Sequence, residues 1–209
     1  MPQTASLLGF VAAALVVLVT PGPGVLYVVA RSLSQGQRAG LVSALGLSSG
    51  ALVHVAAATL GLSAILLTSA AAFTVVKLLG AGYLIYLGIR TLQPRRPGAD
   101  VDAPAPRSLY RLFLDGVVVS VLNPKIAVFF LAFLPQFVQP GAGPVERQVL
   151  FLGMTYVGLA LVSDSSYALL AGRLRHWMRG RVVGGPAPQY ATGAVYLGLG
   201  VSTALVERP

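Results

Sequence analysis

Six long apolar runs alternate with short polar connections along the chain. Each run is continuous and far longer than the roughly ten residues of a membrane-barrel strand, so the pattern predicts helices. We therefore expect an all-α membrane protein in which residues 1–209 form a single transmembrane domain. The predicted spans lie at about 4–30, 41–67, 72–92, 111–138, 147–172 and 187–206.

The positive charges lie mostly on one side of these spans. Eleven of the 15 lysines and arginines are in the first, third and fifth connections, whereas the opposite side has Arg147 and Arg208, each beside a glutamate. Cytoplasmic connections of membrane proteins carry such an excess of positive charge. The asymmetry predicts that both termini lie outside the cytoplasm. It also supports six spans, since five or seven would scatter the charges.

The composition is that of a membrane protein. Hydrophobic residues make up 56% of the chain, charged residues 10%, and the mean hydropathy is +0.78, whereas soluble domains carry about 25% charged residues. The net charge of +9 comes from the connections, so no basic face interleaved with aromatic residues is left for nucleic acid. The chain has no cysteine and only two histidines, so we expect no metal site and no other cofactor.

The third connection, about 93–109, is rich in proline and charge, which predicts a flexible cytoplasmic linker between two halves of three spans. Halves of three spans have opposite orientations, so the sequence predicts a 3+3 inverted repeat. Segments 22–35 and 123–136 align without gaps, with Pro23 opposite Pro124. Chance similarity between apolar segments is the alternative explanation.

The first span is interrupted by the stretch TPGPG at residues 20–24. Proline removes a hydrogen-bond donor, and glycine frees the backbone from its usual limits. If Arg31 marks the cytoplasmic boundary, the break lies about 9–10 Å inside it and has to face protein or a watery cavity. A half-helix that begins after the break offers unpaired N–H groups to an anion. We assign to a substrate or ion pathway the residues Pro21, Gly22, Pro23 and Gly24; the alternative is an interfacial turn.

The stretch LNPK at residues 122–125 is the counterpart in span four. Asn123 supplies an amide, Pro124 opens the helix and Lys125 supplies a charge. A lysine within the membrane costs about 2.5–3.5 kcal/mol on insertion scales, so it needs a partner or a cavity. Snorkelling to an interface is the alternative, but the reach from mid-span is poor. We assign these three residues to the same pathway.

Two titratable residues lie midway along other spans. Asp164, in span five, is suited to pairing with Lys125, to carrying a proton or to binding a substrate ammonium; a purely structural ion pair is the alternative. His54, in span two, titrates near neutrality and suits proton coupling. A histidine packed between helices and bonded to a carbonyl is an equal alternative.

Two short-range patterns predict local contacts. Gly46 and Gly50 have the small-xxx-small spacing that is typical of close helix packing in membranes. Asp115 follows Arg111 by one helical turn, so we expect these two side chains to pair near the cytoplasmic interface.

The sequence resembles the lysine exporter family of bacterial amino-acid efflux proteins (LysE/RhtB type) nearly from end to end. The resemblance rests on TPGPGVLYVVARSLSQGQRAGLVSALGLSSGALVH (20–54), KLLGAGYLIYLGIRTL (77–92) and LNPKIAVFFLAFLPQFV (122–138). It implies six spans in a 3+3 arrangement in the bacterial inner membrane. It also implies proton-motive-force-driven export of amino acids or related metabolites by a homodimer.

The chain departs from the family pattern at Ala51. Many relatives place an acid there, just after the glycine of span two, whereas this chain reads SSGALVH. If that acid takes part in proton coupling, Asp164 and His54 are the candidates left to replace it. The departure also removes a counter-charge for cationic substrates, so we expect neutral amino acids of the homoserine or threonine kind.

Two other classes of function compete with a secondary exporter. An intramembrane enzyme is disfavoured, because the chain has no cysteine, no H-E-x-x-H and no G-x-S-x-G motif, and we expect no catalytic residue. A channel, or an ion or metal exporter of a related 3+3 fold, is the main alternative. A cation pore needs several acids or carbonyl rings, and the apolar runs hold one mid-span acid.

Overall fold

A computed structural model describes residues 4–68 and 107–174, together with the isolated positions 78, 82, 85, 86 and 89. Within these ranges every regular element is a helix, as the predicted all-α class requires. The predicted spans 72–92 and 187–206 lie outside the described residues, apart from the five isolated positions. Most of the predicted linker 93–109 lies outside them too.

The described ranges contain six α-helices and several short helical turns. The α-helices are α1 (Thr4–Val19), α2 (Pro23–Gln35), α3 (Gln37–Thr68), α4 (Leu109–Val121), α5 (Pro124–Val128) and α6 (Val145–Leu174). A π-helical turn and two 3₁₀ turns lead from α5 to α6, at Phe129–Phe133, Leu134–Phe137 and Pro140–Ala142.

Two of these helices are long and apolar enough to cross a membrane alone. They are α3, over the 25 residues Gln37–Gly61, and α6, over its 30 residues. Two helix pairs have the required length and composition only when taken together: α1 with α2, bent by 52°, and α4 with Pro124–Phe137, bent by 46°. The described part of the chain therefore holds two to four candidate spans.

Helix α3 is the centre of the described bundle, where it packs against α2, α4 and α6. Glycines allow the close approach of α3 to α4. A Cβ atom on Gly50 would lie 2.6 Å from the carbonyl oxygen of Val117, and one on Gly116 would lie 2.7 Å from that of Ser43. Gly46 likewise lies directly against the α4 backbone. The predicted helix packing through Gly46 and Gly50 is confirmed.

The predicted ion pair between Asp115 and Arg111 is wrong, because the side chain of Arg107 pairs with Asp115 instead. Arg107 precedes the start of α4, and the side-chain amide of Gln35 holds its backbone in place. That amide donates to the Arg107 carbonyl at 2.8 Å and accepts from the Arg107 N–H at 3.0 Å. The side chain of Arg107 then folds back along α4 to the carboxylate. Helical spacing gave the wrong partner because the real one lies outside the helix.

Large apolar side chains lie on the outside of the bundle, while a few polar and charged side chains are buried among its apolar core. Leu60 and Leu122 are 78% and 73% exposed, whereas Asn123, Lys125 and Asp164 are 3%, 6% and 8% exposed. In lipid, apolar side chains can face outward, and charged side chains are placed inside the bundle or next to a cavity. The buried polar groups are therefore the candidates for a functional site.

Candidate functional site

The two helix interruptions have the same local construction. Helix α2 begins at Pro23 after the extended residue Gly22, and α5 begins at Pro124 after the extended residue Asn123. Proline suits the first helical position because its missing N–H has no intrahelical acceptor there. The positions that matched in the sequence alignment are thus the first residues of the two helices that follow the interruptions.

The capping of these two helices differs. The Asn123 side-chain oxygen accepts a hydrogen bond from the Lys125 N–H at 3.0 Å, which satisfies one free donor of α5. Gly22 has no side chain with which to cap α2. The first turn of α2 is tightly packed, since a Cβ atom on Gly24 would lie 3.3 Å from Leu47. The N–H groups at the start of α2 therefore carry the partial positive charge of a helix N-terminus, and no N-cap side chain accepts a hydrogen bond from them.

The opposite side of the first interruption, the carboxyl end of α1, is closely bound by side chains. The Lys125 ammonium donates to the carbonyl oxygens of Val17 and Thr20, both at 3.1 Å. The Tyr167 hydroxyl donates to the carbonyl of Val19 at 2.7 Å. Helix ends leave carbonyls without intrahelical donors, and a cation there is stabilised by the helix dipole. Lys125 therefore does not snorkel to an interface but binds the backbone of the other interruption.

A small cavity opens where the two interruptions meet α3 and α6. We call it the central cavity, and its lining residues are Leu18, Gly24, Val25, Leu47, Ala51, Asn123, Lys125, Ile126, Tyr156, Ala160 and Asp164. Its volume is about 30 Å³, which is room for about two water molecules. Most of its wall is apolar, and the charged groups on it are one ammonium and one carboxylate.

Asp164 is the uncommitted group of the central cavity. Within residues 4–68 and 107–174 its carboxylate has no hydrogen bond and forms no direct ion pair with Lys125. Lys125, in contrast, already holds two carbonyl oxygens. Burying a carboxylate that accepts no hydrogen bond is costly. The carboxylate is therefore suited to receive a proton or a cationic ligand group.

His54 lies apart from the central cavity. Its Nε2 atom is 3.1 Å from the carbonyl oxygen of Ser120, and its ring stacks on Phe130 with a centroid distance of 6.1 Å. The packed, carbonyl-bonded arrangement is thus the one present. Of the four TPGPG pathway residues, Gly24 lines the cavity, Gly22 is buried, Pro21 is half-buried and Pro23 is exposed. Of the residues that the sequence assigns to one pathway, the structure places Gly24, Asn123, Lys125 and Asp164 together on the wall of the central cavity.

Sequence reasoning missed three residues of this region on α6. Tyr156 and Ala160 line the cavity with Asp164, and Tyr167 binds the end of α1. Their spacing contains the signal, since positions 156, 160 and 164 repeat at the interval of one helical turn and share a face. In a largely apolar helix, however, the same spacing is equally typical of core packing.

Comparisons with known proteins agree with a membrane transport protein. A sequence model for the LysE type translocator family matches residues 15–206. The homoserine/homoserine lactone efflux protein of Salmonella typhimurium is 37% identical over 77% of this chain and 78% of that protein. A membrane protein of Vibrio cholerae is 33% identical, over 82% and 83% of the two chains. YrhP of Bacillus subtilis, also a membrane protein, is 29% identical over 96% and 99%. No solved structure matches the chain.

Proposed function

This chain belongs to the LysE type translocator family, and we propose that it exports small uncharged amino acids of the homoserine or threonine kind from the cytoplasm. The similarity to the Salmonella typhimurium homoserine/homoserine lactone efflux protein supports this substrate class. In the proposed arrangement each bent helix pair is one broken span. The six spans form a 3+3 inverted repeat in the bacterial inner membrane, with both termini outside and two copies in a homodimer.

The observation that carries the proposal is the charge pattern of the central cavity. Lys125 and Asp164 face one small space without a direct bond between them, and the remaining wall is mainly apolar. A zwitterion with a short uncharged side chain matches that pattern. Its carboxylate meets the uncapped start of α2 at Gly24 and the Lys125 ammonium, and its ammonium meets Asp164. The binding energy then comes from charge-assisted hydrogen bonds in a site shielded from bulk water.

We attribute proton coupling to the Asp164 carboxylate, which has no hydrogen bond to any residue that the structure describes. Asp164 holds either the substrate ammonium or a proton, because each neutralises the same charge. If substrate leaves toward the outside and a proton then replaces it, inward proton movement drives outward substrate movement. This exchange requires one titratable group that is reachable from both sides in turn. Asp164 fits that role better than His54, whose ring packs outside the cavity.

In the conformation that the structure describes, the central cavity is too small for the proposed substrate. A volume of about 30 Å³ holds water but not an amino acid. Substrate entry therefore requires the helices around the interruptions to move apart. Helix pairs that are already bent by 52° and 46° offer the hinges for alternating access around a fixed site.

The test is an amino-acid profile of cells and medium on induced expression, with Lys125→Ala and Lys125→Arg compared. We expect the wild-type protein to raise one or a few neutral amino acids in the medium. Lys125→Ala should lower that export at least about tenfold, the effect of losing one charge-assisted contact. Lys125→Arg, which keeps the charge, should retain part of it. Wild-type export by Lys125→Ala would remove Lys125 from the pathway.

The alternative of a channel or ion exporter is tested in liposomes. Stereospecific exchange of labelled amino acid across the membrane requires a carrier. A flux of salt without amino-acid exchange would instead favour the channel.

A further inference from the structure

We infer that Tyr167 is a positioning residue for transport: its hydroxyl, together with the Lys125 ammonium, clamps the carboxyl end of α1 and keeps the central cavity narrow. The clamp opens and re-forms in each transport cycle. This inference rests on the proposed function for its link to transport, but the clamp itself is tested without substrate.

The first support is the number of bonds on one helix end. Three carbonyl oxygens within four residues, those of Val17, Val19 and Thr20, accept hydrogen bonds from Lys125 and Tyr167. Both donors come from other helices, and their bonds add to those that Thr20 makes to the Val16 carbonyl within the last turn of α1. The two Lys125 bonds are buried, whereas the Tyr167 bond to Val19 is exposed. Buried carbonyls at a helix end are destabilising when they have no donor. The clamp therefore decides where the end of α1 lies.

The second support is the position of the clamp beside the cavity. Leu18, between the clamped carbonyls, lines the central cavity. Moving the end of α1 therefore changes the width of the cavity directly. Tyr167 itself is not among the described cavity-lining residues, so its hydroxyl acts through α1 and not on the substrate.

Third, Tyr167 lies close to Asp164, whose charge is neutralised when it binds a proton or the substrate ammonium. Asp164 and Tyr167 are three residues apart on α6 and so are neighbours on one face. A bare Asp164 carboxylate attracts the Lys125 ammonium across the cavity, which competes with the carbonyls of α1. A proton or a substrate ammonium on Asp164 removes that attraction. Occupancy of the cavity thereby alters the strength with which α1 is held.

Tyr27 provides a matched control within the same chain. Its hydroxyl also donates to a helix carbonyl, that of Leu112, at 2.9 Å. Tyr27→Phe and Tyr167→Phe therefore remove the same atom from the same kind of bond. Tyr27 differs in that it contacts α4 and also lies beside Arg31, away from the end of α1.

The experiment uses the absence of cysteine from the natural chain. A single cysteine introduced as Ala160→Cys lies on the cavity wall, and its labelling by a soluble maleimide in liposomes reports the opening of the cavity. We expect Tyr167→Phe to raise the labelling rate about fivefold, the effect of one lost hydrogen bond. Tyr27→Phe should leave the rate unchanged. Equal rates for the Tyr167→Phe and Tyr27→Phe backgrounds would overturn the inference.

A transport measurement separates positioning from substrate contact. With homoserine as the probe, Tyr167→Phe should lower the maximal efflux rate several-fold, because the cavity closes less readily, and KM should stay within about twofold. A raised KM with an unchanged maximal rate would contradict a positioning role. If the wild-type protein moves no amino acid, the proposed function fails, and the labelling experiment still decides whether the clamp exists.

Discussion

The Lys125 Nζ atom lies 3.1 Å from the carbonyl oxygen of Val17, although the two residues are 108 positions apart in the sequence. This bond joins the end of α1 to the start of α5, and so connects the two helix interruptions directly. The cavity beside it is lined by residues from both. Lys125 thus binds the backbone at the end of α1 and also lines the proposed binding site.

The proposed exchange at Asp164 predicts the effect of removing its charge. Asp164→Asn keeps the size of the side chain but can neither release a proton nor bind an ammonium as an anion. We expect efflux driven by an imposed inward proton gradient to fall at least about tenfold in liposomes. Asp164→Glu, which keeps the carboxyl group, should still respond to the gradient. Undiminished gradient-driven efflux by Asp164→Asn would place the coupling group elsewhere.

Helix packing predicts different outcomes for two glycine substitutions. Gly116→Ala places a methyl group 2.7 Å from the carbonyl oxygen of Ser43, whereas Gly158→Ala meets nothing within 4 Å. Overpacking of this kind costs about 1–3 kcal/mol. Thermal unfolding in detergent should therefore show a lower Tm for Gly116→Ala and an equal or higher Tm for Gly158→Ala. Equal Tm losses for both would contradict the close contact of α3 with α4.

A carboxylate introduced at position 51 should shift the substrate preference toward cationic amino acids. Its side chain lies on the cavity wall and is 2% exposed. Ala51→Asp adds a second carboxylate to the site, and we expect it to raise lysine efflux relative to homoserine efflux by about tenfold. Ala51→Asn has nearly the same size without the charge and serves as the control. An equal effect of both substitutions would show that size, and not charge, alters the preference.

Much of the architecture could be predicted because it depends on local chemistry. Long apolar runs give helices in lipid wherever they occur. The family that the motifs indicate is confirmed by the match of the family model to residues 15–206. Proline and glycine act on their own turn, so α1 ends at Val19 and α2 starts at Pro23 within the stretch that the sequence singled out. That both interruptions lie within the membrane, in an inverted repeat, stays a prediction.

The partners of the polar residues could not be predicted from the sequence. The sequence predicts that Lys125 needs a partner or a cavity, but it does not identify the partner. That partner is a pair of backbone carbonyls of α1, which every residue carries and no pattern distinguishes. Tyr167 was missed for a related reason, since a tyrosine in an apolar helix is equally typical of a packed core. Asp115 shows the opposite error: helical spacing pointed to a neighbour, and the tertiary contact with Arg107 prevailed.

The central claim is that the cavity between the two interruptions carries a small zwitterionic amino acid. Counterflow in liposomes tests it most directly: vesicles with purified protein are loaded with unlabelled L-homoserine, and the uptake of labelled L-homoserine is followed without any ion gradient. We predict a transient accumulation that D-homoserine does not compete for and that Lys125→Ala abolishes. Wild-type counterflow by Lys125→Ala, or no counterflow with any neutral amino acid, would contradict the account.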